Sequence, residues 1–276
     1  MKIVSVFSLF LLTTSSLAQS NKTDSLDKLL QKTTIDTNKV NLLVDLGMEY
    51  WTSDPAQTLA YSQKALELAR KINYRRGEAK SHQGIGVYYW QKNDYSKAMS
   101  NYSESKAIYE SIGDKVGVAR AICNMGIIFG EQGNYGKALD NYQQASAIFE
   151  ELGDKNRMAS TINSIGNVHK NQKNFEEALI SYQEAGKIWA KAGDKKSVAG
   201  SYINIASIYS KQKKYDAAIL SADKALKLFE EFKDSNGQII CNNNLGEVYL
   251  QKGDLETARL KYEKALEINQ GFQSKG

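Results

Sequence analysis

The sequence predicts an all-α protein, a solenoid of about six stacked helix-turn-helix repeats, and three observations predict it. The chain repeats every forty residues from Tyr50 onward without insertion or deletion, so that Gly86, Gly126, Gly166, Ala206 and Gly246 fall in one column. Twelve residues later stand Ala98, Ala138, Ala178, Ala218 and Ala258, and four after those Tyr102, Tyr142, Tyr182, Ala222 and Tyr262. Each repeat thus carries a small-small contact with an aromatic one helical turn beyond it, except where Ala222 stands in that column. With one proline in 276 residues and 42% hydrophobic content, the chain is neither disordered nor a loop-rich sheet protein.

Residues 1–18 read as a cleaved export signal. Lys2 precedes an apolar run from Ile3 to Leu12, which at about 1.5 Å per residue covers only half of a roughly 30 Å hydrocarbon core. Ser16-Leu17-Ala18 supplies small residues where a signal peptidase cuts. Gln19 rather than Cys follows, against a lipid-anchored start. No later stretch is apolar enough for a membrane span. The expectation is an exported bacterial protein, periplasmic or secreted, soluble unless a membrane segment lies beyond Gly276.

Residues 19–36 form a linker in which Ser25-Leu26-Asp27-Lys28-Leu29-Leu30 makes a short amphipathic helix shielding the first repeat. The solenoid is expected over 37–276, with units at approximately 37–76, 77–116, 117–156, 157–196, 197–236 and 237–270. In the first, Leu46-Gly47, Tyr50 and Trp51 lie thirty-nine residues before Ile85-Gly86, Tyr89 and Trp90, which predicts an inner turn one residue shorter. Asp54-Pro55 fills that turn as a helix cap and a first-position proline. Asp94, Asn134, Asn174 and Asp254 are placed to cap the second helices of later units; Lys214 breaks the pattern. Between units run Gly113-Asp114, Gly153-Asp154 and Gly193-Asp194, a left-handed stop followed by a cap. One hairpin buries only its inner face, so neighbours must supply the missing burial. Tyr109, Phe149, Trp189 and Phe229 are placed to fill those seams.

Ile85-Gly86, Tyr89, Ala98 and Tyr102, with Met125-Gly126, Phe129, Ala138, Tyr142 and Ala145, fall on a known spacing, and the chain resembles tetratricopeptide repeat proteins. The common repeat is about 34 residues; the longer one here is expected to lengthen both the helices and the turn between units, as in the family's extended-peptide binders. The resemblance implies a right-handed superhelix with a concave groove and a protein or peptide partner. Asp24-Ser25-Leu26 and Asp36-Thr37-Asn38-Lys39-Val40-Asn41-Leu42-Leu43 are also similar to the exported front part of bacterial sensors. That implies an alternative, the extracytoplasmic sensing region of a truncated membrane signalling protein of histidine kinase, cyclase or transcriptional regulator type.

At 100° per residue, one side of each first helix holds the core columns and the other faces the groove. The candidate groove residues are Gln83, Asn124, Asn163, Asn167, Asn204, Lys211, Asn243, Asn244 and Glu247, with Trp51 and Trp90 at its edge. Asparagine carries a donor and an acceptor and can hold the backbone of an extended peptide whatever its sequence, although a solvated face also tolerates it. In peptide-binding relatives an asparagine at the place of Asn124, Asn204 and Asn244 often does this. The two tryptophans either anchor a partner or pack on the next helix. The family's carboxylate clamp is matched only at Asn167, so a chaperone C-terminus is not the expected ligand.

Lys and Arg exceed Asp and Glu by 36 − 31 = 5, interspersed along the helices, which does not suit nucleic acid. His82 and His169 fall core-side two repeats apart, Cys123 and Cys241 lie three repeats apart, and no phosphate loop or metal-spaced cluster occurs. No catalytic residue, metal site or cofactor is expected. The last helix keeps the apolar phase of an internal one through Ala265, Leu266 and Ile268, so a second copy, a downstream domain or a partner is expected to cover it.

Overall fold

A computed structural model describes residues 23, 25–26, 28–34 and 36–273; the proposed export signal at 1–18 lies outside the described residues. No strand occurs among them. After a helical stretch at 28–32 come α1 (Thr37–Glu49), α2 (Pro55–Lys71), α3 (Arg75–Gln91), α4 (Tyr95–Ser111), α5 (Lys115–Glu131) and α6 (Tyr135–Glu151). They are followed by α7 (Lys155–Asn171), α8 (Phe175–Lys191), α9 (Lys195–Lys211), α10 (Tyr215–Glu231), α11 (Ser235–Lys252) and α12 (Leu255–Gln273).

The chain divides into two compact units, residues 1–145 and 146–276. In the first, each of α1 to α4 packs on its successor, and α1 also touches α3 directly. Leu30 of the N-terminal stretch packs on the cluster of Val40, Leu43, Val44, Ala65 and Ala69. In the second, each of α7 to α11 packs on its successor, and α9 touches α11. Consecutive helical hairpins therefore stack within each unit.

One joint is used from α2 onward. A left-handed residue stands at Asn73, Asn93, Gly113, Gly133, Gly153, Lys173, Gly193, Lys213, Lys233 and Gly253, at twenty-residue intervals. The next amide reaches back to close the preceding helix, as Asp94 N to Tyr89 O and Asp114 N to Tyr109 O, each 2.9 Å. Residues 92–94 inside a repeat and 112–114 between repeats are equally short. The extra length of the repeat thus lies in 17-residue helices and not in the turn between units.

The first repeat also differs from expectation: α1 stops at Glu49 and the chain turns over 50–54, so the missing residue shortens the helix, not the turn. Asp54 accepts from Ala56 N and Gln57 N with Pro55 at the first helical position. Asp94, Asn134 and Asp254 cap their helices through Lys97 N, Lys137 N and Thr257 N. Asn174 makes no such bond; Glu176 and Glu177 in the first turn of α8 offset the unpaired amides electrostatically instead.

Glycine is required where helix meets ring. A Cβ at Gly86 would lie 2.4 Å from Tyr102, and one at Gly166 2.7 Å from Tyr182. Seams close in the same way: a Cβ at Gly117 would lie 2.3 Å from Tyr109, and at Gly237 2.1 Å from Phe229. Tyr109, Phe149, Trp189 and Phe229 are all buried. In the second unit one column on the second helices is apolar yet exposed, Ile180 at 63%, Leu220 at 59% and Leu260 at 51%. Ala60, Ser100 and Asp140 hold the corresponding places earlier in the chain.

Candidate peptide-binding face

In the second unit, residues forty-one apart on successive first helices are neighbours. Asn204 Nδ2 on α9 donates to Asn163 Oδ1 on α7 at 3.0 Å, and Ser210 Oγ on α9 to Gln251 Oε1 on α11 at 3.0 Å. Both asparagines are half-buried, so their outer lone pairs and protons remain within reach of solvent. Asn167 turns inward instead, its Oδ1 accepting from the Tyr182 hydroxyl at 2.7 Å and from Lys170 Nζ at 3.5 Å. Lys170 and Lys211 share the forty-one-residue spacing. Burial first, and the charge of Lys211 second, hold the Lys170 ammonium below its ordinary pKa.

An open pocket of about 220 Å³ lies between α9, α10 and α11. Its floor is Ala206, Ala222 and Val248, and Ser207, Lys211, Asn244 and Glu247 stand round it. Glu247 is held in place, its carboxylate accepting from Gln251 Nε2 at 2.8 Å and from the Tyr262 hydroxyl at 3.3 Å. The pocket exists because a ring is missing. Tyr182 fills the corresponding space one repeat earlier, fully buried against Ala178, Ile205 and Ile208. Ala222 cannot reach that far. Ala222 interrupts the tyrosine column in the sequence, and a ring lost from a regular column is a lost volume, the signal that locates the pocket. Asn243 is half-buried on α11.

The candidates of the first unit behave differently. Trp51 and Trp90 stack on each other, with ring centroids 6.4 Å apart and planes at 19°. Trp90 also packs against Ala98, Tyr102 and Ile128, so it is part of the core, while Trp51 remains 39% exposed. Gln91 Nε2 donates to the Trp51 carbonyl. Gln83 is a correction: expected in the groove, it is only 7% exposed and its Nε2 has no partner among the described residues. The reason is the direct contact of α3 with α1. Lys80 on the same face of α3 bonds Asn41 Oδ1 of α1 at 2.9 Å, and Gln91 reaches Trp51 in the turn after α1, so Gln83 lies between a bridge to α1 and one to the turn that follows it. Asn124 is half-buried on α5.

His82 is buried with Nδ1 3.0 Å from Asn101 Oδ1. Burial pushes the Cys241 thiol up to about 12, which leaves it unreactive at neutral pH. Among the described residues no group of three or more His, Cys, Asp or Glu stands where it could hold a metal ion, and no helix is long and apolar enough to cross a membrane.

The family model of the tetratricopeptide repeat matches residues 47–111, 100–151, 157–231 and 197–270. Comparison with curated protein sequences yields no match. Among solved structures the chain is similar to BtubC (BKLC) from P. vanneervenii, with 21% identity, a TM-score of 0.68, and 80% of this chain and 93% of that one covered. It is similar to the apo form of RapI, with 19% identity, a TM-score of 0.64, and 91% and 89% covered. The Rap conjugation gene regulator of plasmid pLS20, in complex with the Phr* peptide, matches with 15% identity, a TM-score of 0.61, and 86% and 74% covered.

Proposed function

Because the chain belongs to the tetratricopeptide repeat family, we propose that it is a non-enzymatic scaffold which binds an extended segment of a partner protein along the first-helix face of its second unit. The observation that carries this reading is the polar face itself. Asn163, Asn204, Lys211, Asn244 and Glu247 come from three successive first helices and border one open pocket or stand beside it in register. Side-chain amides that both donate and accept suit the backbone of an extended chain. The similar Rap regulator, complexed with the Phr* peptide, supports a peptide as the class of ligand. Residues 1–18 support export, and the partner is then an extracytoplasmic protein.

A second reading, the sensing region of a membrane signalling protein, is favoured by Leu255 and Leu266 of α12, exposed at 67% and 47%, an apolar surface of the kind a further domain covers. Crosslinking in the native compartment followed by mass spectrometry tests the first reading, with Asn163→Ala/Asn204→Ala as the comparison. Reduced capture of a reproducible partner is expected. Unchanged capture rejects the asparagine face.

A further inference from the structure

We propose that the pocket over Ala206 and Ala222 is an anchor site for an aromatic side chain, a phenol above all, presented by the bound segment. The inference rests on the scaffold reading only for the origin of the ring, a partner segment; the site itself is argued from this chain's own repeats.

Four repeats show what the space is built to hold, Gly86 beneath Tyr102 being the first. Tyr142, Tyr182 and Tyr262 each lie over a glycine of the preceding helix, Gly126, Gly166 and Gly246, with ring carbons 3.1, 2.7 and 2.8 Å from where a Cβ would stand. Tyr182 is completely buried, and its hydroxyl finds Asn167, the residue after that glycine, at 2.7 Å. Tyr262 makes the equivalent bond to Glu247 at 3.3 Å. In the fifth repeat both partners change together. Ala222 removes the ring and Ala206 stands where the glycine was, which only the loss of the ring permits. The walls are kept: Val248 takes the place of Ile208, Leu245 that of Ile205, and Ser207 that of Asn167. Leu245 remains fully buried beneath.

The result is a vacant ring site of about 220 Å³ that opens beside Asn244, Glu247 and Lys211, where a docked segment would run. Its base is apolar, and Ser207 stands where Asn167 and Glu247 meet the phenol hydroxyl in the fourth and sixth repeats. A ring entering from outside also answers to Ala206. Carbon atoms rest at about 3.5 to 4.0 Å, so its methyl seats the incoming ring roughly 1 Å further out than a tethered one. A phenyl ring or an aliphatic side chain would fill the base but leave Ser207 without a partner, so the phenol is preferred.

Isothermal titration of the full chain with N-acetyl-tyrosinamide, N-acetyl-phenylalaninamide and N-acetyl-alaninamide tests the site. Saturable binding is expected for the two aromatic amides and none for the alanine amide. Ala206→Gly/Ala222→Tyr restores the pair found in the sister repeats, and should weaken aromatic binding about tenfold or more by filling the space. Ser207→Ala, a variant with no folding cost to fear, should lower the preference for the tyrosine amide over the phenylalanine amide. Equal binding of all three amides, or binding unaffected by both variants, overturns the proposal. The two readings fail separately. Aromatic binding with partner capture that ignores Asn163 and Asn204 leaves the anchor standing and the asparagine face refuted. Asparagine-dependent capture without aromatic binding does the reverse.

Discussion

Gly166 lies so close beneath Tyr182 that a Cβ on the glycine would stand 2.7 Å from the ring. Alanine is the better helix former by about 1 kcal/mol, yet here the ring is fully buried and cannot swing aside. Gly166→Ala is therefore expected to lower stability, by about 1 to 3 kcal/mol of overpacking less that propensity gain. The same reasoning reverses one repeat on. With no ring above it, Ala206→Gly should cost about 1 kcal/mol of helix propensity alone. Urea unfolding of the two variants, with Gly166→Ala/Tyr182→Ala as the relief control, checks both.

Lys213 stands in the left-handed region at φ 59°, a conformation its Cβ resists. Gly133 and Gly193 hold the same place in other joints at no such cost. Lys213→Gly is expected to raise stability by about 1 kcal/mol, read as an increase in the urea midpoint at unchanged slope.

Glu78, buried at the first joint between repeats, takes hydrogen bonds from Arg70 Nε at 2.9 Å and from Arg75 Nη1. Burial opposes its charge, but the two guanidiniums prevail and hold its carboxyl below the ordinary value of 4.5. A lowered folded pKa contributes stability above the unfolded value and loses it as pH falls through the carboxylate range. Glu78→Gln should lower stability near neutrality and make the remaining loss on acidification shallower. Urea midpoints of both proteins between neutral and acidic pH measure this; parallel curves would show that the pair contributes nothing.

Ile180, Leu220 and Leu260 are exposed on α8, α10 and α12, each with an acidic residue one turn earlier, Glu176, Asp216 and Glu256. Since these side chains bury little, replacing all three by serine should change stability by less than about 0.5 kcal/mol per site. The same variant should elute earlier from a phenyl column.

The fold was legible because the columns of glycine, alanine and tyrosine are chemistry as well as pattern: a ring needs a bare helix beneath it. The caps were legible for Asp94 and Asp254, whose carboxylates have one obvious use. The joints at Lys173, Lys213 and Lys233 were not, since lysine advertises no left-handed preference and only the regularity of the neighbouring joints imposes it. Gln83 was misplaced because its burial depends on α1 meeting α3 directly, a contact between helices that a single helical wheel does not contain. Asn163 and Asn204 were both assigned to the groove, but their bond to each other follows from the forty-one-residue register of packed first helices, which a forty-residue alignment of columns conceals. Lys170, coupled to Lys211 by the same register, was passed over for that reason.

The uniform joint has a genetic corollary. Gly193 and Lys233 occupy the same backbone conformation, and each is followed by an aspartate that opens the next helix. Deleting residues 194–233 would splice Gly193 to Asp234 and bring Trp189 over Gly237, where Phe229 rests now. The cassette so removed contains Ala206 and Ala222, so a lineage can discard or copy the vacant ring site in one recombination event while every remaining hairpin keeps its seat.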